Sequence, residues 1–530
     1  MDPTLAWKPR LERQEVMSEQ SGEIVVIGAG MGGLAAATRL AKAGFKVRVF
    51  EAGPQPGGKC RTININGYSF DTGPSLLTLP AVYRDLFLKS GKHLGQELKV
   101  TPVEPVFDYF FSDGTRLTLP SSSRAGTAAA IEKSFGQKSA AEWENLMKRA
   151  EKMWAVSREP FVESELGTLT SLISRPRIFV DLFTIAPWRS LRSLVNKKIS
   201  DPRLRALIDR YATYTGSDPR SAPAVLLTIP YVEMVFGAWH VGGGIGKLGE
   251  ALAERAQNCG AQIEYNCPVS EILTSDGKVT GVRLADGRLI ESQTVVSNAD
   301  SELTYGKLLG NLPVARKEKR KILRSEPSLS GFYLTIGLKG KRTDLKHHTI
   351  SFPNNYDDEF NAVFKNFQPV EDPTLYICSP ADVKMVPNQD LANHESLFVL
   401  VNAPRHSTDG KGFDWSTPGV AEKYADHLVD LLVAKGFIDR ERIDVFAYGS
   451  PLQIQNNHLA PGGSIYGRSS NGARAAFARA KNRSPIDGLY LVGGSAHPGG
   501  GLPLVGLSGE IVAGIISQRS KGNNGLWARR

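Results

Sequence analysis

The feature that most constrains this chain lies near its start, in "EIVVIGAGMGGLAAATRLAKAGFKVRVFEAG" (Glu23 to Gly53). Ile24 to Ile27 is a run of branched apolar residues, as in a strand buried on both faces. Gly28, Gly30 and Gly33 follow at GxGxxG spacing. Leu34 to Ala43 is an Ala/Leu-rich helix that Gly44 can cap, and Lys46 to Phe50 reads as the next strand, closed by Glu51. The first glycine allows a tight turn, the second lets backbone approach a pyrophosphate, and the third lets helix and strand pack closely. The helix N-terminus offers free N–H groups and partial positive charge to phosphates. Glu51 stands eighteen residues after Gly33, where a carboxylate accepts from a ribose diol and disfavours the extra phosphate of NADP. The unit is therefore expected to bind a dinucleotide.

A chain of 530 residues is too long for one ordinary core, so two domains, possibly interleaved, are expected. Hydrophobic content of 41% with 22% charge fits a soluble globular protein. Cys60, Cys259, Cys267 and Cys378 show no CxxC spacing and read as reduced thiols of a cytoplasmic protein, without a disulfide frame or zinc site. The net charge of +10 suits an anionic membrane surface at least as well as nucleic acid. No apolar run is long enough to span a bilayer, and the first residues lack the apolar core of a secretory signal. Met17 is an alternative start to Met1.

A second glycine-rich region lies near the other end. "DGLYLVGGSAHPGGGLPLVGLSGEIVAGII" reads as a strand at Leu489 to Val492, a glycine turn, and an apolar helix from about Leu504. If the first turn holds the pyrophosphate, this one suits a flat ring, and its helix N-terminus stabilises negative charge on that ring. In the middle, "GGGIGKL" looks like a phosphate loop but lacks the first glycine and the Mg-binding Ser or Thr. It reads instead as a loop before an amphipathic helix with Ile245, Leu248, Leu252 and Ala256 on one face. Strands follow at Gln262 to Tyr265, around Val269 to Leu273, and at "VVSNAD" (Val295 to Asp300). No second GxGxxG unit, serine-nucleophile elbow or metal motif is found, and His347-His348 lacks neighbouring ligands in sequence.

"EAGPQPGGKCRT", with Gly57-Gly58 and Arg61 soon after Glu51, and "GYSFDTGPSLLT" resemble the FAD-dependent amine oxidase and carotenoid desaturase superfamily. "IPYVEMVFGAWHVGGGIGKLGEAL", "LKHHTISFPNNYDDEF" and "GLYLVGGSAHPGGGLPLVGLSG" resemble its bacterial-type phytoene desaturase branch, over about Glu23 to Ile516. The resemblance implies an α/β fold, with a Rossmann-like FAD-binding domain (23–115, 241–305, 449–520) interleaved with an α+β substrate domain (116–240, 306–448) between tails at 1–22 and 521–530. It implies FAD contacts at Gly28, Gly30, Gly32, Gly33, Glu51, Gly57, Gly58, Lys59 and Arg61. Val269 would pass the adenine, and Gly493, Gly494, Gly499, Gly500, Gly501 and Leu502 would lie at the flavin ring. With no cysteine in this last stretch, noncovalent FAD is implied. So is a long polyene substrate drawn from a membrane, with quinone or oxygen as final acceptor. A carotenoid oxidase or ketolase, or a polyene isomerase or saturase, would share these motifs. A prenyl-protein-binding protein like the Rab GDP-dissociation inhibitors would share the fold without redox chemistry.

Two residues are candidates for chemistry. His497 lies in the C-terminal glycine string, as the residue nearest the ring or as a backbone support. Glu233 interrupts an apolar run, as a polar group in a substrate tunnel or as a salt-bridged carboxylate. Between Arg175 and Lys198, Ile178, Leu182, Ile185, Trp188, Leu191 and Val195 recur at helical spacing among six Arg and Lys residues. That pattern predicts an interfacial membrane helix or a lid helix, kinked at Pro187.

Overall fold

The computed structural model describes residues 22–167, 178–342, 344–472 and 475–520. The C-terminal tail, all but one residue of the N-terminal tail, both candidate starts, Arg175 and Arg177 lie outside these residues.

The N-terminal unit forms as its pattern requires. Ile24–Ile27 is the central strand of a five-stranded parallel sheet. The order across it is Leu489–Leu491, Thr294–Ser297, Ile24–Ile27, Val47–Phe50, Gln262–Glu264. Ile24 and Val26 point into a core shared with helices Met31–Lys42, Gly246–Asn258 and Leu502–Ser520. Val25 and Ile27 point the other way, onto a core shared with the three-stranded antiparallel layer Val269–Ser275, Lys278–Leu284 and Leu289–Glu291. Both faces are covered, which is why the strand carries no polar residue.

The second layer system is a seven-stranded sheet. Its order is Ile443–Gly449, Ser330–Lys339, His394–Ala403, Leu375–Cys378, His348–Ser351, Phe107–Phe110, Arg116–Leu119. All neighbours are antiparallel except His348–Ser351 with Phe107–Phe110. Helix Val420–Ala434 packs its apolar stripe on one face. Phe107, Tyr109 and Ile350 join a second core with helices Gln137–Arg158, Pro202–Thr213 and Thr228–Phe236. Phe107–Phe110 thus pairs in this sheet although it precedes residue 115.

The basic segment departs from the expected single stripe. Ile178–Ile185 and Leu191–Asn196 are separate helices, and Ala186 between them has φ 50°. The break before Pro187 resets the helical phase. Leu191 and Val195 are buried, whereas Val180, Phe183 and Trp188 are 64%, 71% and 57% exposed. Among the described residues, no helix is long and apolar enough to cross a membrane.

Candidate functional site

The carboxyl ends of the parallel strands converge on one point, as ligand sites in such sheets do. Gly30, Gly32, Gly33 and Gly493 gather there around the Asn298 side chain. A Cβ on Gly30 would stand 2.4 Å from Asn298 Nδ2, and one on Gly32 2.9 Å from the Gly493 amide nitrogen. A Cβ on Gly33 would meet the Gly28 carbonyl oxygen at 2.2 Å, so helix and strand could not pack. The two glycine strings, far apart in sequence, therefore form one cradle. Asn298 is missed by motif reading; its signal is a polar residue directly after a buried strand, at that strand's carboxyl end.

Glu51 follows the second strand, Val47–Phe50, and faces the first glycine turn. Its Oε2 accepts from the Ala29 amide at 2.6 Å and its Oε1 from Gly53 at 2.8 Å. The chain at 266–267 runs alongside, with Asn266 and Cys267 amides donating to Gly53 and Glu51 carbonyls. Val269 begins the next strand, two residues on. Gly57 (φ 97°) turns the chain back so that Gly58 packs on Gly30, where an added Cβ would lie 3.2 Å from its Cα. Arg61 Nε is buried without a hydrogen-bond partner. Glycines at Gly30, Gly32 and Gly33 that a Cβ would crowd, a held carboxylate and a half-buried arginine with an open Nε fit a dinucleotide such as FAD.

The C-terminal string forms the other side of the cradle. Lys59 Nζ donates to the carbonyls of Ser464 (2.8 Å) and Ile465 (3.0 Å), and burial pulls its ammonium down to about 8 against the opposing charge of Asp300. Arg479 donates to the carbonyls of Gly494, Arg468 and Tyr466, and burial brings it down to about 10. Tyr466 leaves no room for a side chain at Gly500, where a Cβ would lie 2.6 Å from its Cδ1. Gly494 and Gly500 face each other, Gly499 lies beside Arg479, and Gly501 precedes Leu502, the first residue of the last helix. The Leu502 carbonyl accepts from Tyr83 Oη at 2.7 Å.

His497 sits inside this string, buried, with Nε2 2.9 Å from the Ser164 carbonyl oxygen. Its own carbonyl accepts from Asn482 Nδ2 and Ser508 Oγ, both at 2.8 Å. Burial pushes the imidazole down to about 4. These bonds brace the loop. The amides of Gly242, Gly243 and Gly244 donate to the Lys99 carbonyl, Asp382 Oδ2 and the Val241 carbonyl. The amides of Ile245 and Gly246 donate to Asp71 Oδ1 and Thr62 Oγ1, both at 2.9 Å, fixing the loop to the hairpin Thr62–Ile65/Tyr68–Asp71.

Glu233 lies in the other buried polar region. It is 5% exposed, accepts from Tyr211 Oη and from Tyr214 Oη (3.4 Å), and burial raises it to about 7 against those bonds and the Arg210 charge. Arg210 lies over the rings of Tyr214 (5.0 Å), Phe107 (5.4 Å) and Tyr376 (5.8 Å). Tyr376 Oη is 2.8 Å from His348 Nδ1. The fold also brings Cys378 to His347 and His348, with ligand atoms within 4.8 Å, a grouping the sequence does not display.

The chain matches the flavin containing amine oxidoreductase family over residues 31–516. It is 32% identical to a 4,4'-diapolycopene oxygenase from Methylomonas sp, covering 93% of this chain and 98% of that protein. It is 30% identical to a zeta-carotene-forming phytoene desaturase from Myxococcus xanthus, covering 93% of this chain and 94% of that protein. Putrescine oxidase bound to putrescine shares the fold, with a TM-score of 0.62 and 15% identity over 93% of this chain and 98% of that one. The resemblance seen in the motifs holds over nearly the whole length. The chain is an FAD-dependent oxidoreductase, and it belongs to the flavin containing amine oxidoreductase family.

Proposed function

We propose that this protein is a carotenoid desaturase, introducing double bonds into phytoene or a related C30 or C40 polyene. The observation that carries the reading is the single cradle formed by both glycine strings, in a chain whose relatives along its whole length are named for polyene oxidation. When bound, FAD supplies the hydride acceptor at flavin N5. Dehydrogenation removes a hydride from one carbon and a proton from its neighbour.

The chain's own residues bind, orient and exclude water. Glu51 takes the ribose hydroxyls on the lone pairs its two amide bonds leave free. The amides at the start of helix Met31–Lys42 take the pyrophosphate with Arg61. Gly493, Gly494 and Gly499 to Gly501 let backbone touch the ring, and His497 holds their loop against Ser164. Of the two candidate bases, Glu233 is the one whose carboxyl burial raises to about 7, near working pH, whereas burial holds His497 down at about 4. The exposed Val180, Phe183 and Trp188 form the membrane contact through which substrate enters. Quinone or oxygen is the final acceptor.

The test is anaerobic reconstitution with FAD and phytoene-loaded liposomes. Bleaching of the visible flavin band with new conjugated-polyene absorbance is expected. Bound flavin that stays oxidised with phytoene and with later carotenoids overturns the reading. The diapolycopene oxygenase relative favours a second reading, oxygen insertion at a polyene end, which product mass distinguishes.

A further inference from the structure

Helix Pro202–Thr213 and its surroundings contain several arginines, and nearly all are paired. Arg192 bonds Asp209, Arg203 bonds Asp201, and Arg220 bonds Asp218 through two nitrogens. Arg210, on the same helix, has no carboxylate in contact among the described residues. It is 5% exposed, and its Nη1 has no hydrogen-bond partner. The Tyr109 and Tyr214 hydroxyls lie beside the guanidinium and take part of its donor capacity, leaving Nη1 open, and the Tyr109 hydroxyl is itself buried without a well-formed hydrogen bond.

A guanidinium is always charged, offers five donors and accepts nothing. Leaving one buried without acceptors is expensive. The faces of Phe107, Tyr214 and Tyr376 offset part of that cost. They do not satisfy an N–H in the guanidinium plane. Glu233, whose charge also acts on the guanidinium, accepts from Tyr211 and Tyr214 and forms no ion pair with Arg210 among the described residues. The region lies near the cofactor end. The Arg210 charge acts on Tyr466, whose ring fills the space over Gly216 and Gly500. A bare hydrocarbon brought past this charge gains nothing from it, and positive charge developing on that hydrocarbon is opposed by it. An oxygen atom on the polyene reverses the sign.

Resting on the polyene reading above, we propose that Arg210, unpaired in its aromatic cage, anchors an oxygen acceptor at the end of the polyene, so that the preferred substrate is an oxygenated polyene rather than the hydrocarbon. The Tyr109 hydroxyl supplies a second donor to the same oxygen.

The experiment uses the full-length FAD-loaded protein and a matched pair of ligands, a conjugated polyene hydrocarbon and the same polyene ending in an aldehyde. Kd is read by quenching of tryptophan fluorescence, and the polyene band by absorption. One hydrogen bond from a charged donor gives about 10- to 100-fold preference for the aldehyde. A red shift of the aldehyde band is expected, because a cation at the carbonyl oxygen draws charge along the conjugated chain. Arg210→Leu is expected to abolish both preference and shift, and Arg210→Lys to lose at least tenfold of the preference because it lacks the planar fork. Equal Kd values and an unshifted band in the unmodified protein overturn the proposal, as does a preference that survives Arg210→Leu. If Arg210→Leu does not fold, the unmodified protein and Arg210→Lys decide. Flavin bleaching is followed separately in the same samples. Flavin that stays oxidised with both ligands and when phytoene, which has saturated bonds to lose hydride, is added separately counts against the desaturase reading and leaves the binding comparison standing.

Discussion

Two buried polar regions lie within this molecule and are built on opposite plans. Around the glycine cradle, two of the three cations are satisfied by backbone, and only Arg61 keeps an open donor. Lys59 and Arg479 both donate to carbonyls, and Glu51 accepts from amides. Around Arg210, polar groups face aromatic rings and one another, and donors are left over. The first plan fixes a backbone shape and suits a cofactor of constant form. The second leaves hydrogen-bonding capacity open, which suits a ligand that comes and goes.

Several changes break or sharpen this contrast. The largest effect is expected from Gly33→Val. Its Cβ meets the Gly28 carbonyl at 2.2 Å, so strand and helix must separate. A loss of more than about 3 kcal/mol is expected, read as the urea midpoint, with little flavin absorbance retained after purification. Glu51→Gln keeps one acceptor oxygen and loses the charge. FAD affinity is expected to fall about 10- to 100-fold in a fluorescence titration, with the fold retained.

The two regions should also differ in sign with pH. His497 is held near 4 in the folded chain against an ordinary 6.5, so the unfolded chain binds more protons between those values. Its contribution is complete above pH 6.5 and is lost as pH falls toward 4, an effect of about 3 kcal/mol. His497→Gln, which can still donate to Ser164, should flatten that limb of a thermal-melt profile. Glu233 runs the other way. Held near 7 against an ordinary 4.5, it contributes fully below 4.5, and that stability is lost as pH rises to 7. Glu233→Gln should therefore become relatively more stable with rising pH over that window. An identical pH response in both variants removes the contrast. The smallest stability effect is expected from Phe183→Ser with Trp188→Ser, within about 0.5 kcal/mol, because both side chains are exposed. Liposome co-sedimentation should nonetheless fall severalfold.

The cradle was legible because its signals are local. GxGxxG, Glu51 and Gly57-Gly58 each carry a recognisable pattern over a few residues, even though Glu51 reaches Ala29, and Gly30 and Gly32 meet Asn298 and Gly493. Asn298 needed one further step, since its importance comes from the strand end it occupies. Arg210 was not legible at all. Tyr214 stands four residues after Arg210 at the end of the same helix, but Phe107 and Tyr376 come from other elements, and no spacing along the chain encodes their meeting with it. The basic segment misled for a related reason. Its apolar residues keep helical spacing through Ala186 and Pro187, but the left-handed turn at Ala186 turns the second helix inward.

The last helix crosses the first at very close range, with Gly509 packed on the Gly32 carbonyl and Ala35. The strand before that helix completes the parallel sheet beside Thr294–Ser297. On the ribosome, the flavin-binding half that emerges first must therefore wait for almost the whole remaining message to be read before its cradle closes. A chain cut short before residue 489 would carry an intact GxGxxG and still lack Gly493 and the helix that packs on it, so it is expected to retain little flavin.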